Sequence, residues 1–567
     1  MPVTDVNLDP DTIHFIPLGG SEEFGCNFNA YAYKGKWLLM DCGIGFADHR
    51  FPMIDILLPK TDFIEKYKED ILGLIVTHGH EDHIGAVPYL WPRLSCPVYC
   101  THFTAEVMRR KISEFPESKD MPVTEISAGK RLDLGPFELD FIRVTHSIPE
   151  AVATFINTDK GTIIHTGDWN LDTDPAMGKP VDPHAFIKAG EKNVLAYVGD
   201  STNAQVPGRT PSESLVEAGL TEVLKMQKKR VAITTFSSNL GRLKSISKAA
   251  RAANRSVCIV GRSLKNMVGA GMNCGLLDDI PDFVDEEDLD LLPRENVVLV
   301  VTGSQGESRA ALSRISRGEF KGVSLEKGDT VIFSSRDIPG NEKDINEVKN
   351  SLIASGITVI NDKSAMSEWG VHVHVSGHPC RDELKDMISW IKPRIAVPVH
   401  GERMMTEAHA ELARECGVPH TVIPSNGSVI ALDPTNPRII NHVETGFIGV
   451  EPKRLIDTDN TAISARRKLQ YTGAAFVTIT LDQRCRLVRA PEISTLGLEE
   501  ADSDDMEALN EDIIDEIKDT LIDINKRDWG NDHIVSEELR IVTRRLLTHI
   551  YGFKPQVVVH LVRSERS

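Results

Sequence analysis

The sequence predicts a layered α/β protein in which one α/β unit interrupts another and a small α+β domain closes the chain. Three observations carry this. Short apolar runs ending in turns that bear His or Asp occur in two separate blocks, before residue 211 and after residue 368. Between the blocks, helical patterns alternate with short buried strands, as in a parallel βα unit. The tail reads strand, strand, two amphipathic helices, strand. The expected segments are 1–210 and 369–446 as two parts of one domain and 211–368 as the inserted domain, followed by a linker at 447–462 and a C-terminal domain at 463–567.

In the first block IHFIPLGG, NAYAYKG and KWLLMDCGIG (13–45) read as strands separated by Gly turns. ILGLIVT (71–77), LDFIRVTHS (139–147), GTIIHTGDW (161–169) and VLAYVGDST (194–202) follow, each leading into a polar turn. HFTAEVMRRKISEF (102–115) has a helical pattern. Strands that feed chemistry-bearing loops place the site along one sheet edge. The inserted unit contains the strands RVAITTF (230–236), SVCIVG (256–261), NVVLVVTG (296–303) and DTVIFSS (329–335), separated by helices. His-bearing turns return in HVHVSGHPC (372–380) and IAVPVHGE (395–402). In the tail, AAFVTITL (474–481) and CRLVRAPEI (485–493) are expected strands, 504–526 and 534–550 helices, and QVVVHLV (556–562) the last strand.

With 41% hydrophobic and 26% charged residues, the 567-residue chain has the makings of large globular cores. No run of eighteen apolar residues is present, which argues against a spanning helix, and MPVTDVNLDPDTIHF lacks the basic start and apolar core of an export signal. Nine scattered cysteines include one close pair, Cys96 and Cys100, read as small core residues; a reduced, cytoplasmic protein is expected. The net charge of −19 opposes nucleic-acid binding at first sight. The acid, however, is concentrated at 278–290 and 499–516, which read as solvated faces, and net charge does not exclude a locally basic groove.

The densest chemistry is THGHEDHIGAVP (77–88). Imidazole nitrogen and carboxylate oxygen are the ligands of zinc-class ions, bonded at about 2.0–2.2 Å. A polar helix cap could account for one such histidine, but not for four potential ligands within six residues. His78 and His80 suit one ion; Asp82 and His83 begin a second site. His146 in VTHS can complete the first, His400 in PVHGE the second, and Asp168 in HTGD can bridge both. Asp41 in LLMDCG reads as a residue that orients a ligand histidine, and His165 as structural. Two divalent ions are expected, Zn2+ by ligand chemistry, with Mn2+ or Mg2+ as alternatives.

HGHEDH, with VTHS, HTGD and Asp41, resembles the metallo-β-lactamase superfamily, which implies an αββα sandwich. GDSTNA (199–204), SGH (376–378) and PVHGE (398–402) resemble the additional motifs of the β-CASP nucleases, with the β-CASP domain as the insertion. TFSSNLGR (235–242), GRSLKNM (261–267), TGSQGE (302–307) and HVSGH (374–378) are similar specifically to bacterial and archaeal ribonuclease J. The likeness runs from about residue 12 to 445 and is weaker beyond. It implies a two-metal ribonuclease acting 5′ to 3′ on 5′-monophosphorylated single-stranded RNA, with room for endonuclease action, in RNA maturation and decay. His400 favours RNA over DNA, since DNA-directed β-CASP members typically replace that histidine.

By the same resemblance Asp200 stands at the position of a family acid, one methylene shorter than the usual Glu, and is expected to orient His378 as general acid. Ser237, Ser238 and Asn239, with His374, Val375, Ser376, Gly377 and His378, correspond to a pocket for the 5′-monophosphate. Ser-Ser-Asn could also cap the following helix, a role compatible with phosphate binding. A homodimer or homotetramer through the small tail domain is expected, with no membrane partner and a place in an RNA-degradation assembly. The alternatives are a purely endonucleolytic β-CASP processing enzyme and a small-molecule metallo-hydrolase. The latter has no use for the insertion.

Overall fold

The structure, a computed structural model, describes residues 6–452, 454–498 and 503–564, the side chains of 503–510 excepted. It comprises two units, residues 1–46 with 57–447 and residues 47–56 with 448–567.

In the first unit two sheets face each other. One has the strand order 438–442, 428–431, 14–19, 28–33, 36–40, 71–75, 98–101, 123–126. The other runs 420–421, 395–399, 194–200, 161–165, 152–158, 137–143, 131–134. Alternate residues meet between them: Phe15, Tyr31, Leu38, Met40 and Ile75 from the first sheet bury against Phe141, Ile156, Ile163, Val198 and Val397 from the second. Helices 183–190, 381–391 and 403–415 pack on the outer face of the second sheet through Phe186, Leu384, Ile388 and Leu412. Strands covered on both faces read as near-continuous apolar runs, which is why ILGLI and IAVPV carry so little alternation. This is the expected αββα layering.

Asp41, His78, His146, Asp168 and His400 follow the strands 36–40, 71–75, 137–143, 161–165 and 395–399, and Asp200 closes the strand 194–200. The insertion contributes a five-stranded, wholly parallel sheet in the order 256–260, 297–301, 231–234, 330–333, 358–361. Its carboxyl edge carries Ser237–Asn239, Arg262–Ser263 and Ser334–Arg336.

In the second unit the strand 474–481 lies antiparallel to 492–496 and parallel to 556–563. Helices 503–523 and 532–551 cover one face, where Val477, Ile479, Ile513, Ile517 and Leu539 share a core. Two expectations need correction. The stretch expected as a linker holds a hairpin, 447–451 with 454–457, and then a helix at 461–472. Asn460 caps that helix, but only Ile463 on it is buried, so no apolar periodicity announced it. The second strand is 492–496, not 485–493, because Asp482 accepts from the backbone N–H groups of Arg484 and Arg486 and turns CRL into a loop. The acidic run 499–516 falls partly, and the N-terminal MPVTD wholly, outside the described residues. Among the described residues no helix is long and apolar enough to cross a membrane.

Candidate metal centre and substrate cleft

The seven residues expected to hold metal converge. His78, His80, His146 and Asp168 form one group and Asp82, His83, Asp168 and His400 another, with the donor atoms of each group within 4.8 Å of one another. In the first, His80 Nδ1 lies 3.0 Å from both His78 Nε2 and His146 Nε2. In the second, His83 Nε2 and His400 Nε2 each lie 3.3 Å from Asp168 Oδ2. Asp168 is therefore common to both groups.

The hydrogen bonds on the far side of each ring fix which nitrogen faces inward. His146 Nδ1–H donates to the Gly377 carbonyl at 2.8 Å, His83 Nδ1–H to Asp41 Oδ2 at 2.8 Å, and His400 Nδ1–H to Asn27 Oδ1 at 2.9 Å. In the neutral rings the Nε2 lone pairs of all three then point at the same buried carboxylate. Asp168 Oδ1 is itself buried with no hydrogen-bond partner among the described residues. Lone pairs facing a buried anion, with one oxygen unsatisfied, cost several kcal/mol unless cations lie between them. The donor set thus fits divalent metal. Burial holds His78, His80 and His146 below the ordinary imidazole pKa, His146 at about 4, which keeps them available as neutral ligands. At His83 burial acts the same way but is outweighed by Asp168, Asp82 and Asp41, so its pKa stands well above the usual value.

Asp41, expected to orient a ligand histidine, does so for His83, and it also accepts from Thr77 N–H at 2.8 Å. His165 bonds Tyr31 Oη at 3.0 Å and stands outside both groups. Asp41 and His400 have φ of +57° and +55°, left-handed values that non-glycine residues adopt at a cost of about 1–3 kcal/mol each. Asn27 was not foreseen. Besides holding His400, its Nδ2 donates to the Asp82 carbonyl at 3.0 Å. An Asn in GCNFNA carries no metal-ligand signature.

His378 Nδ1–H donates to Asp200 Oδ2 at 2.8 Å, and the His378 ring stacks 5.6 Å from that of His400. Burial alone would lower the His378 pKa; the Asp200 carboxylate overrides it and carries it up to about 9. Gly377 beside it is obligatory, since a Cβ there would stand 2.8 Å from the His146 ring.

The expected phosphate-pocket residues divide by role. Asn239 Oδ1 accepts from Arg242 N–H at 2.8 Å, capping helix 240–252. Ser237 Oγ bonds Ser263 Oγ at 2.8 Å, and Ser376 Oγ accepts from Asn203 Nδ2 at 2.9 Å. The Val375 carbonyl accepts from Arg242 Nη2–H at 3.3 Å. Arg242, fully buried and clamped by Glu213 at 2.6 and 2.8 Å, donates from Nη1 to His374 Nδ1 at 3.0 Å. Nη1 also faces the Ser334 carbonyl at 3.0 Å and Ser334 Oγ at 2.7 Å; when it donates to His374 Nδ1, the ring proton resides on Nε2. Burial, and then Arg242, keep this ring neutral. His374 Nε2 is a buried donor without a partner among the described residues.

Domain families match along the chain: "Beta-lactamase superfamily domain" at residues 36–187, "Ribonuclease J, beta-CASP domain" at 228–352 and "Zn-dependent metallo-hydrolase RNA specificity domain" at 371–424. The chain is 39% identical to the ribonuclease J of Sinorhizobium meliloti over 563 residues, 99% of this chain and 98% of that protein. It is 34% identical to ribonuclease J 1 of Streptococcus pyogenes over 87% of this chain and 88% of the relative. For ribonuclease J2 of Bacillus subtilis the identity is 32% over 86% and 87% of the two chains. Among solved structures, a protein of unknown function from Enterococcus faecalis overlays with a TM-score of 0.52 at 18% identity, covering 74% of this chain and all of that one, a likeness of fold alone.

Proposed function

We propose, from the premise that the chain belongs to the ribonuclease J family and is a metal-dependent ribonuclease, that it degrades single-stranded RNA from a 5′-monophosphorylated end, releasing mononucleotides. The observation that supports the direction is His374 Nε2, a buried ring nitrogen without a partner among the described residues, on a ring whose Nδ1 faces Arg242 Nη1 at 3.0 Å. A terminal phosphate oxygen supplies that partner. The Ser238 hydroxyl, half-buried at the same sheet edge, offers a second donor.

His78, His80, His146 and Asp168 would hold one ion, and Asp82, His83, Asp168 and His400 the other. Two divalent ions, zinc by the chemistry of these donors, supply positive charge at the scissile phosphate and acidify the attacking water when bound. His378 delivers a proton from Nε2 to the departing 3′-oxygen and regains one from solvent. Asp200 holds the other ring nitrogen, which fixes the direction of delivery and stabilises the charged ring.

RNA carrying a 5′-monophosphate, triphosphate or hydroxyl tests this directly. Mononucleotides should appear first from the monophosphorylated substrate and slowly from the triphosphate, and Ser238→Ala should weaken that preference without changing bound metal. Internal fragments with no preference for the 5′ end would instead favour the endonuclease reading.

The second unit supports self-association. On the sheet face away from its helices Leu496, Val558 and Val562 are 68%, 41% and 47% exposed, paired with Ala474, Phe476 and Thr480 of the central strand. An open sheet face with exposed apolar side chains among polar ones is a surface for pairing. We assign a homodimer or dimer of dimers to this unit. A chain ending before the 447–457 hairpin should run as a monomer with weakened activity in light scattering and RNA assays; an unchanged mass refutes it. All nine cysteines are free, which suits a reduced cytoplasmic setting.

A further inference from the structure

The candidate 5′-phosphate pocket has donors but little net charge. Ser237, Ser238, Asn239 and Ser376 are neutral, and the Arg242 charge is offset by Glu213. A terminal monophosphate is close to a dianion at neutral pH, its second pKa being about 6. Neutral donors alone compensate such a charge poorly.

Arg336 lies beside this pocket. It follows the strand 330–333 at the carboxyl edge of the parallel sheet, the edge that also bears Ser237–Asn239 and at which open α/β sheets bind ligands. Its Nη1–H donates to Asn203 Oδ1. Asn203 in turn donates to Ser376 Oγ at 2.9 Å and to the His378 carbonyl at 3.1 Å, so one amide joins Arg336 to the turn of the expected pocket. The Arg336 carbonyl accepts from Gln305 Nε2 at 2.9 Å, which anchors its backbone. The guanidinium is close enough to act electrostatically on both His374 and Cys380.

Arg336 is exposed, yet it forms no ion pair with a carboxylate among the described residues. Its counterparts Arg209, Arg381 and Arg403 pair with Asp386, Glu415 and Glu22. In a chain of net charge −19, an anchored guanidinium left uncompensated beside a binding turn is the arrangement of an anion site. We propose that Arg336 is the charged contact for the 5′-terminal phosphate of the RNA and sets the preference for a phosphorylated end. This rests on the 5′-end reading above. The competing cations are Arg262, also exposed, whose neighbour Ser263 bonds Ser237, and Arg143 and Lys179, which line one cavity with Asn239, Ser376 and Gly377.

The test uses the full chain freed of metal, with one single-stranded oligoribonucleotide bearing either a 5′-monophosphate or a 5′-hydroxyl, read by fluorescence anisotropy. Wild type should bind the monophosphate more tightly, and less so as salt rises. Arg336→Gln should reduce that preference on the order of tenfold, the worth of one charge-assisted hydrogen bond, and Arg336→Lys should retain part of it. With metal restored, the change should fall on KM more than on kcat. A preference undiminished in Arg336→Gln, or lost in Arg262→Gln alone, overturns the assignment while leaving the 5′-end reading intact. If wild type has no preference, the 5′-end reading falls and this assignment with it.

Discussion

His80→Ala should abolish RNA hydrolysis and release bound divalent metal. His80 Nδ1 is the donor nearest to both other imidazoles of its group, 3.0 Å from each, and it lies between His78 and His146. Alanine leaves two histidines and a carboxylate that the second group also uses, too few to retain an ion in competition with water. Removing one preorganised donor from a transition-state charge site costs about 10²–10³ in rate. Losing an ion removes more than one such contact, so activity should fall below detection. Elemental analysis of the purified variant beside wild type reads the metal, and hydrolysis of labelled RNA reads the rate. Full activity in metal-free wild type, or an unchanged metal content in the variant, would sink the two-group reading.

His378→Ala should separate chemistry from binding. The ring is held by Asp200 on one side and lies against His146 and His400; it belongs to neither the His78 group nor the His83 group, and in the third cluster of possible donors, with Asp168, Asp200 and His400, its Nδ1 is already bonded to Asp200. The variant should therefore keep its metal and its affinity for RNA while losing roughly 10²–10⁴-fold in kcat, the range of a positioned general acid. Asp200→Asn should fall between. It keeps a hydrogen-bond acceptor but removes the charge that lifts His378 above its ordinary pKa. The acid form is then lost at lower pH, so the alkaline fall in rate should move toward neutrality. Turnover of RNA at the wild-type rate by His378→Ala would assign the proton to another source. An Asp200→Asn profile identical in shape to wild type would limit Asp200 to packing.

The sequence by itself determined which side chains could form the centre, because the candidate ligands are dense and local where it matters most. Four of seven lie in HGHEDH, and the others end apolar runs whose burial could be read from composition. The layered fold and the parallel insertion followed from the same alternation of apolar runs and helical stretches. The tail was less legible. Helix 461–472 buries a single apolar side chain, and the turn at Asp482 depends on side chain to backbone bonds that leave no periodic trace.

Only the tertiary structure decided which residues support that chemistry from outside it. Asn27 reaches His400 across 373 positions of chain and Arg242 reaches His374 across 132, and nothing in either local sequence names its partner. Asn203 links Arg336 to the His378 turn in the same way. Ligand identity is written in side-chain type, which is a local property of the sequence. Ring orientation, tautomer and the presence or absence of a counter-charge depend on what distant segments place beside each group, and those are set only when the chain packs.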